Sequence, residues 1–164
     1  MTEAKFWKLI ARLDWDRTGD HSAVVHPVVQ ALVKLPAEEI REFDEILAEK
    51  LYALDTVDHA RHIGSFAYPH PGFSADGFLY SRCVAVANGK VVYERVLADP
   101  SLMPKDMEFE SLLSMGWKAF EKKTGKEYDR LTRLSFETFS NRAGWARVKG
   151  AAEAGGSASD TNEK

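Results

Sequence analysis

The stretch LDTVDHARHIG places Asp55, Asp58, His59 and His62 within eight residues, and His70 follows across a loop. Imidazole nitrogens together with a carboxylate oxygen are ligands for zinc or a similar divalent ion. On a helix His59 and His62 stand at i, i+3, and Asp55, four residues before His59, joins them on one face. Asp55, His59 and His62 are therefore the candidate metal ligands. The spacing lacks the i, i+4 histidines and the glutamate of a metalloprotease helix. The same residues also suit a solvated helix end whose histidines bond to nearby acids.

A second constellation lies in SADGFLYSRCVAVANG, residues 74 to 89. At about 100° per residue, Phe78, Leu79 and Val86 project beside Arg82, whereas Ser81 and Asn88 project well away. A guanidinium flanked by apolar neighbours either runs its stem across the core edge to water or is desolvated and needs a partner. Glu94 or Asp58 would supply that partner in an internal ion pair. In the other reading Arg82, with Asp76 and Tyr80, edges a pocket and grips a small anionic ligand bidentately. The single cysteine, Cys83, sits among Val84, Ala85 and Val86, which makes it a small buried hydrophobe rather than a nucleophile.

Other chemistries lack their signatures. The chain has no G-x-S-x-G elbow, P-loop, G-x-G-x-x-G or C-x-x-C, and no motif implies a cofactor. With a net charge of −3 and scattered Lys and Arg it presents no field for a phosphate backbone, which argues against nucleic acid. Its start, MTEAKFWKLIARL, has no uninterrupted apolar h-region, and no run approaches the ~20 apolar residues of a membrane span. One unpaired cysteine fits a reducing cytoplasm, so the expected setting is cytoplasmic.

The elements that must position these residues read as helices. Phe6, Leu9, Ile10 and Leu13 predict an amphipathic helix over 3–13. Ser22 is a candidate cap for VVHPVVQALVKL, although Pro27 favours a start at Pro27 itself, with His26 outside. LPAEEIREFDEILAEKLYAL puts Ile40, Phe43, Leu47, Leu51 and Leu54 on one face, with glutamates in the first turn. Asp76 is placed to cap the helix carrying Arg82, Gly89 to close it, and VVYERVLA to follow as a short helix ending at Asp99. EFESLLSMGWKAFEKKTG carries Phe109, Leu112, Leu113, Gly116 and Phe120 on one face. RLTRLSFETFS is ambiguous, helical through Leu131 and Leu134 but alternating like a strand over 134–139. FETFSNRAGW reads as a clasp docking over the first helix.

At 164 residues, with 45% hydrophobic and 29% charged, the chain suits one globular domain. The expected fold is an all-α bundle of about six short to medium helices over residues 1–149. A disordered tail, GAAEAGGSASDTNEK, occupies 150–164.

FWKLI, EIREFD, SADGFLYSR, NGKVVYERVLADP, KTGKE and SFETFSNRAGW, in this order from about residue 3 to 145, resemble the actinobacterial branch of a bacterial domain-of-unknown-function family, the DUF4240 type. The span around DGFLYSR carries the resemblance most specifically. Familiar members have an acidic pair before the Gly-Phe, where this chain has Ala75 and Asp76. The resemblance implies a complete natural domain and no particular activity.

Two function classes follow. A motif-poor helical domain is expected to be a non-catalytic interaction or regulatory module with an unknown protein partner. The alternative is a small ligand-binding protein or enzyme with an anion or metal site near Asp76, Arg82 and His59/His62. Convergence of those groups on one concavity distinguishes the second from the first.

Overall fold

A computed structural model describes residues 1–129 and 131–146. Among them the chain forms α1 (Glu3–Ile10), α2 (His21–Val33), α3 (Ala37–Ala53), α4 (Val57–Ala60), α5 (Ala75–Ala87), α6 (Lys90–Ala98), α7 (Met115–Thr124) and α8 (Arg142–Trp145). Three short 3₁₀ turns, Trp15–Arg17, Pro100–Leu102 and Glu110–Ser114, connect them. The protein is all-α, and no strand occurs among the described residues. The expected tail at 150–164 lies outside them. No helix among them is long and apolar enough to cross a membrane.

Local signals explain most starts and stops. Thr2 caps α1 by accepting from Lys5 N, and Asp20 caps α2 by accepting from Ala23 N. Gly125 ends α7 at φ +68, a left-handed position that glycine adopts without Cβ strain. In α3 the expected stripe is buried throughout, with Ile40, Phe43, Leu51 and Leu54 all at 0% exposure.

Four expectations are corrected. Helix α1 stops at Ile10 rather than Leu13, although Leu13 is buried in the core. Helix α2 starts at His21, and Asp20 rather than Ser22 caps it, so Pro27 sits inside the helix. Proline frees the carbonyl of Ala23, but Ala23 and Pro27 lie on the half-buried side beside exposed His26, where water reaches. On the opposite side Val24, Val25, Val28, Val29 and Leu32 are buried, and their packing outweighs the lost bond. Helix α5 is capped by Ser74, whose Oγ accepts from Gly77 N at 3.1 Å, so Asp76 falls in the first turn.

The fourth correction concerns residues 131–140, which are neither strand nor helix. No partner strand lies alongside them. Their backbone groups are instead tied to side chains: Arg133 N donates to Glu45 Oε2 at 3.0 Å and Phe139 N to Asp55 Oδ1 at 3.2 Å. Phe139 adopts φ +74, a conformation that neither a helix nor a strand uses.

Helix α7 packs on both α2 and α3, and α5 lies against α3, α6 and the turn at 110–114. Nine of the thirteen α5 residues are buried, so this helix has no polar side for Arg82 to join. Arg82 is the largest fully buried side chain.

Candidate functional site

Arg82 has no carboxylate at ion-pair distance among the described residues. Neither expected partner reaches it, since Glu94 pairs with Lys90 at 3.5 Å and Asp58 with Arg61 at 3.8 Å, both on neighbouring helical turns. The guanidinium instead donates to Leu51 O at 2.8 Å and to Thr138 Oγ1 at 2.9 Å, and its carbon lies 4.8 Å from the Phe78 ring centroid. Its Nε has no partner among the described residues. Burial lowers the arginine pKa, and the charge of Asp55 opposes that shift.

Asp55 itself is fully buried. Its carboxylate accepts from Phe139 N at 3.2 Å, Asn141 N at 2.9 Å and Trp145 Nε1 at 2.8 Å. Thr138 also donates to Ala75 O at 2.7 Å, and Asn141 Nδ2 to Tyr52 O at 3.2 Å. Residues 138–145 thus serve both internal charges at once. Trp145 completes the seal, its ring 4.6 Å from Phe139 and 5.5 Å from Tyr68. The clasp exists, but it docks on the α3 end, α4 and α5 rather than over α1. The reason is chemical: Asp55 and Arg82 need donors and acceptors, which α1 does not.

His59 is buried in α4, with Nε2 3.1 Å from Val96 O and Nδ1 2.7 Å from Thr56 Oγ1. A carbonyl only accepts, so Nε2 carries the proton and Nδ1 takes the threonine hydroxyl. Burial lowers its pKa, which favours this neutral form. Helix α4 ends at Ala60, so His62 lies beyond it and is exposed. Asp55, His59 and His62 are not brought together, and no group of three or more His, Cys, Asp or Glu among the described residues is placed to hold a metal ion.

The proposed anion residues also separate. Asp76 is exposed, Tyr80 is half-buried beside Glu110, and Arg82 points inward from the same helix. Next to them Ser74, Gly77 and Ser81 line a cleft of about 410 Å³ closed by Ile63, Phe66, Asp106 and Glu108. Of its acids, Asp106 accepts from Ser65 N at 2.7 Å, and exposed Glu108 brings an oxygen to 3.0 Å from where a Cβ on Gly77 would stand. Cys83 is fully buried, and burial pushes its thiol up to about 12.

A second cleft, of about 360 Å³, opens between α3, α7, Tyr128 and residues 131–137. Leu47, Leu113, Trp117, Tyr128, Leu131 and Phe136 make it mainly apolar, and Asp44 is the carboxylate on the α3 side. The Asp44 carboxyl lies over the backbone of Gly116, where any Cβ would overlap it. Burial pushes this carboxyl up to about 7, against the lowering effect of the Tyr128 hydroxyl bonded to it. No lysine, arginine or histidine among the described residues pairs with it.

Sequence reasoning missed Asp44. Two signals were available: the acid stands four residues after Ile40 and three before Leu47, on the shoulder of the apolar stripe, and Gly116 leaves a gap on the opposing helix. Neither identifies the other without knowledge that α3 faces α7.

No curated protein and no solved structure matches the chain. A family model does match, over residues 1–122, a stretch that holds Asp44, Asp55, Arg82 and Gly116 but not the clasp that covers two of them. That model describes proteins of unknown function, and by it the chain belongs to the DUF4240 family.

Proposed function

We propose that the chain is a non-catalytic binding module whose working surface is the apolar cleft between α3, α7, Tyr128 and residues 131–137. The observation that carries this reading is the contrast in how its ionisable groups are used. Arg82, Asp55 and His59, three of the groups that sequence marks for chemistry, are engaged by internal partners on most of their polar atoms. Among the described residues Asp44 alone faces a mainly apolar concavity of ligand size while holding a desolvated carboxyl. A regulatory role in a reducing cytoplasm accords with the single buried cysteine.

The test is a fragment screen read by thermal shift and mapped by amide and indole NMR. Hits are expected to perturb Trp117 and Leu113, and to lose affinity in Trp117→Ala, a change at a 40% exposed residue that leaves the core intact. Hits that map instead to the cleft beside α5, around Ser74 and Ser81, would return the search to the sequence-marked helix and sink the present reading.

A further inference from the structure

The α3–α7 cleft holds a desolvated carboxyl that no cation of the described residues meets, and this restricts what it can hold. A carboxylate removed from water is costly unless a cation or several donors meet it. Asp55 shows the solved case in the same molecule, with three N–H donors on its two oxygens. Asp44 has the Tyr128 hydroxyl and an open cavity. Glu137, exposed at the same cleft, adds negative charge rather than relieving it.

Resting on the binding reading above, we infer that the cleft takes an organic cation: a protonated amine on a compact apolar body, with its ammonium at Asp44 and its body against Leu113, Tyr128 and Phe136. The volume, about 360 Å³, equals roughly a dozen waters at ~30 Å³ each, which suits an aryl-alkyl amine rather than a peptide. Trp117 forms an apolar wall and not the charge site, because its ring already has the Lys118 ammonium 5.4 Å from the centroid. An anionic ligand of the same shape would meet Asp44 and Glu137 as like charges. A neutral one would offer Asp44 no counter-charge, so the carboxyl would gain nothing by ionising.

The experiment titrates phenethylamine, 2-phenylethanol and phenylacetate, one body with three head groups, into the full chain and its Asp44→Asn variant, following the Trp117 indole and the Leu113 amide by NMR. Asp44→Asn keeps the shape and can still bond Tyr128, and its fold is checked by the unperturbed spectrum. The amine is expected to bind at least ten-fold more tightly than the alcohol, phenylacetate not at all, and Asp44→Asn to erase the amine's advantage. If alcohol and amine bind this cleft equally, or the variant keeps the preference, the cation inference is wrong while the binding reading stands. If none of the three perturbs these signals, the cation inference fails, and the broader screen decides the binding reading separately.

Discussion

Asp44 and Asp55 are two acids eleven positions apart, one midway along α3 and one just past its end, and the fold treats them in opposite ways. Asp55 is sealed under the 138–145 clasp, with each oxygen accepting from fixed N–H donors. Asp44 is sealed only from one side, against Gly116, and its other side opens into an apolar cleft. The difference teaches how to separate structural from available charge: what matters is how many fixed donors reach the carboxylate, more than how deeply it is buried. Charge-assisted bonds to backbone amides make Asp55 part of the scaffold. The absence of an equivalent set leaves Asp44 near neutrality and open to a partner.

The comparison breaks most visibly at the clasp. A chain ending at residue 135 loses every donor to Asp55 and the Thr138 hydroxyl that Arg82 reaches. Leaving a buried charge without its partners costs about 3–5 kcal/mol. Its melting temperature should therefore fall by roughly 10 °C or more relative to a chain ending at 149. Equal melts would remove the clasp from the account. Arg82→Ala follows, at about 3–5 kcal/mol, because it empties a fully buried volume and removes a positive charge that interacts with Asp55. A surface-like loss below 1 kcal/mol would show that the guanidinium contributes nothing there.

On the other side of the comparison the effects are smaller. Gly116→Ala puts a methyl where the Asp44 carboxyl lies, and forcing that contact apart costs about 1–3 kcal/mol. The same substitution should weaken any ligand of the cleft, whereas Gly125→Ala, at an open site with φ +68, should leave the cleft untouched. A Gly116→Ala chain with wild-type stability would mean that α3 and α7 are not in close contact at this point.

The smallest effect is a pH dependence set by Asp44. The Asp44 carboxyl titrates at 3.8 in an unfolded chain and is pushed up to about 7 in the fold. Between those values the folded state holds a proton that the unfolded chain has released, so this stability is full below 3.8 and lost as pH rises through 7. His59 acts oppositely: its pKa lies below 6.5, so its contribution is present above that value and lost as pH falls. Asp44→Asn isolates the first term. The variant should melt a few degrees above wild type at pH 8 and level with it near pH 4, as followed by circular dichroism. A difference that does not change with pH would mean that Asp44 is already ionised and solvated.

Much of the frame was legible in the chain itself. Ile40, Phe43, Leu47, Leu51 and Leu54 declare α3 because a 3.6-residue period is a local property, and Gly125 closes α7 by its own conformational freedom. The α2 start was misread for the same reason. Locally Pro27 argues for a boundary, and only the packing of Val24 and Val25, which lie less than one turn before it, overrides that preference. Arg82 was correctly marked as unusual and given the wrong partners, since Glu94 and Asp58 are near in sequence whereas Leu51 and Thr138 are 31 and 56 positions away.

By itself, then, the sequence determined the all-α class, most helix spans and the residues that fill the core, because period, caps and glycine stops act within a few residues. Tertiary structure decided which acids and bases are bound internally and which face a cleft. Hydrogen-bond satisfaction of Asp55, and its lack at Asp44, depends on segments more than 70 residues apart, for which a single chain carries no local signal.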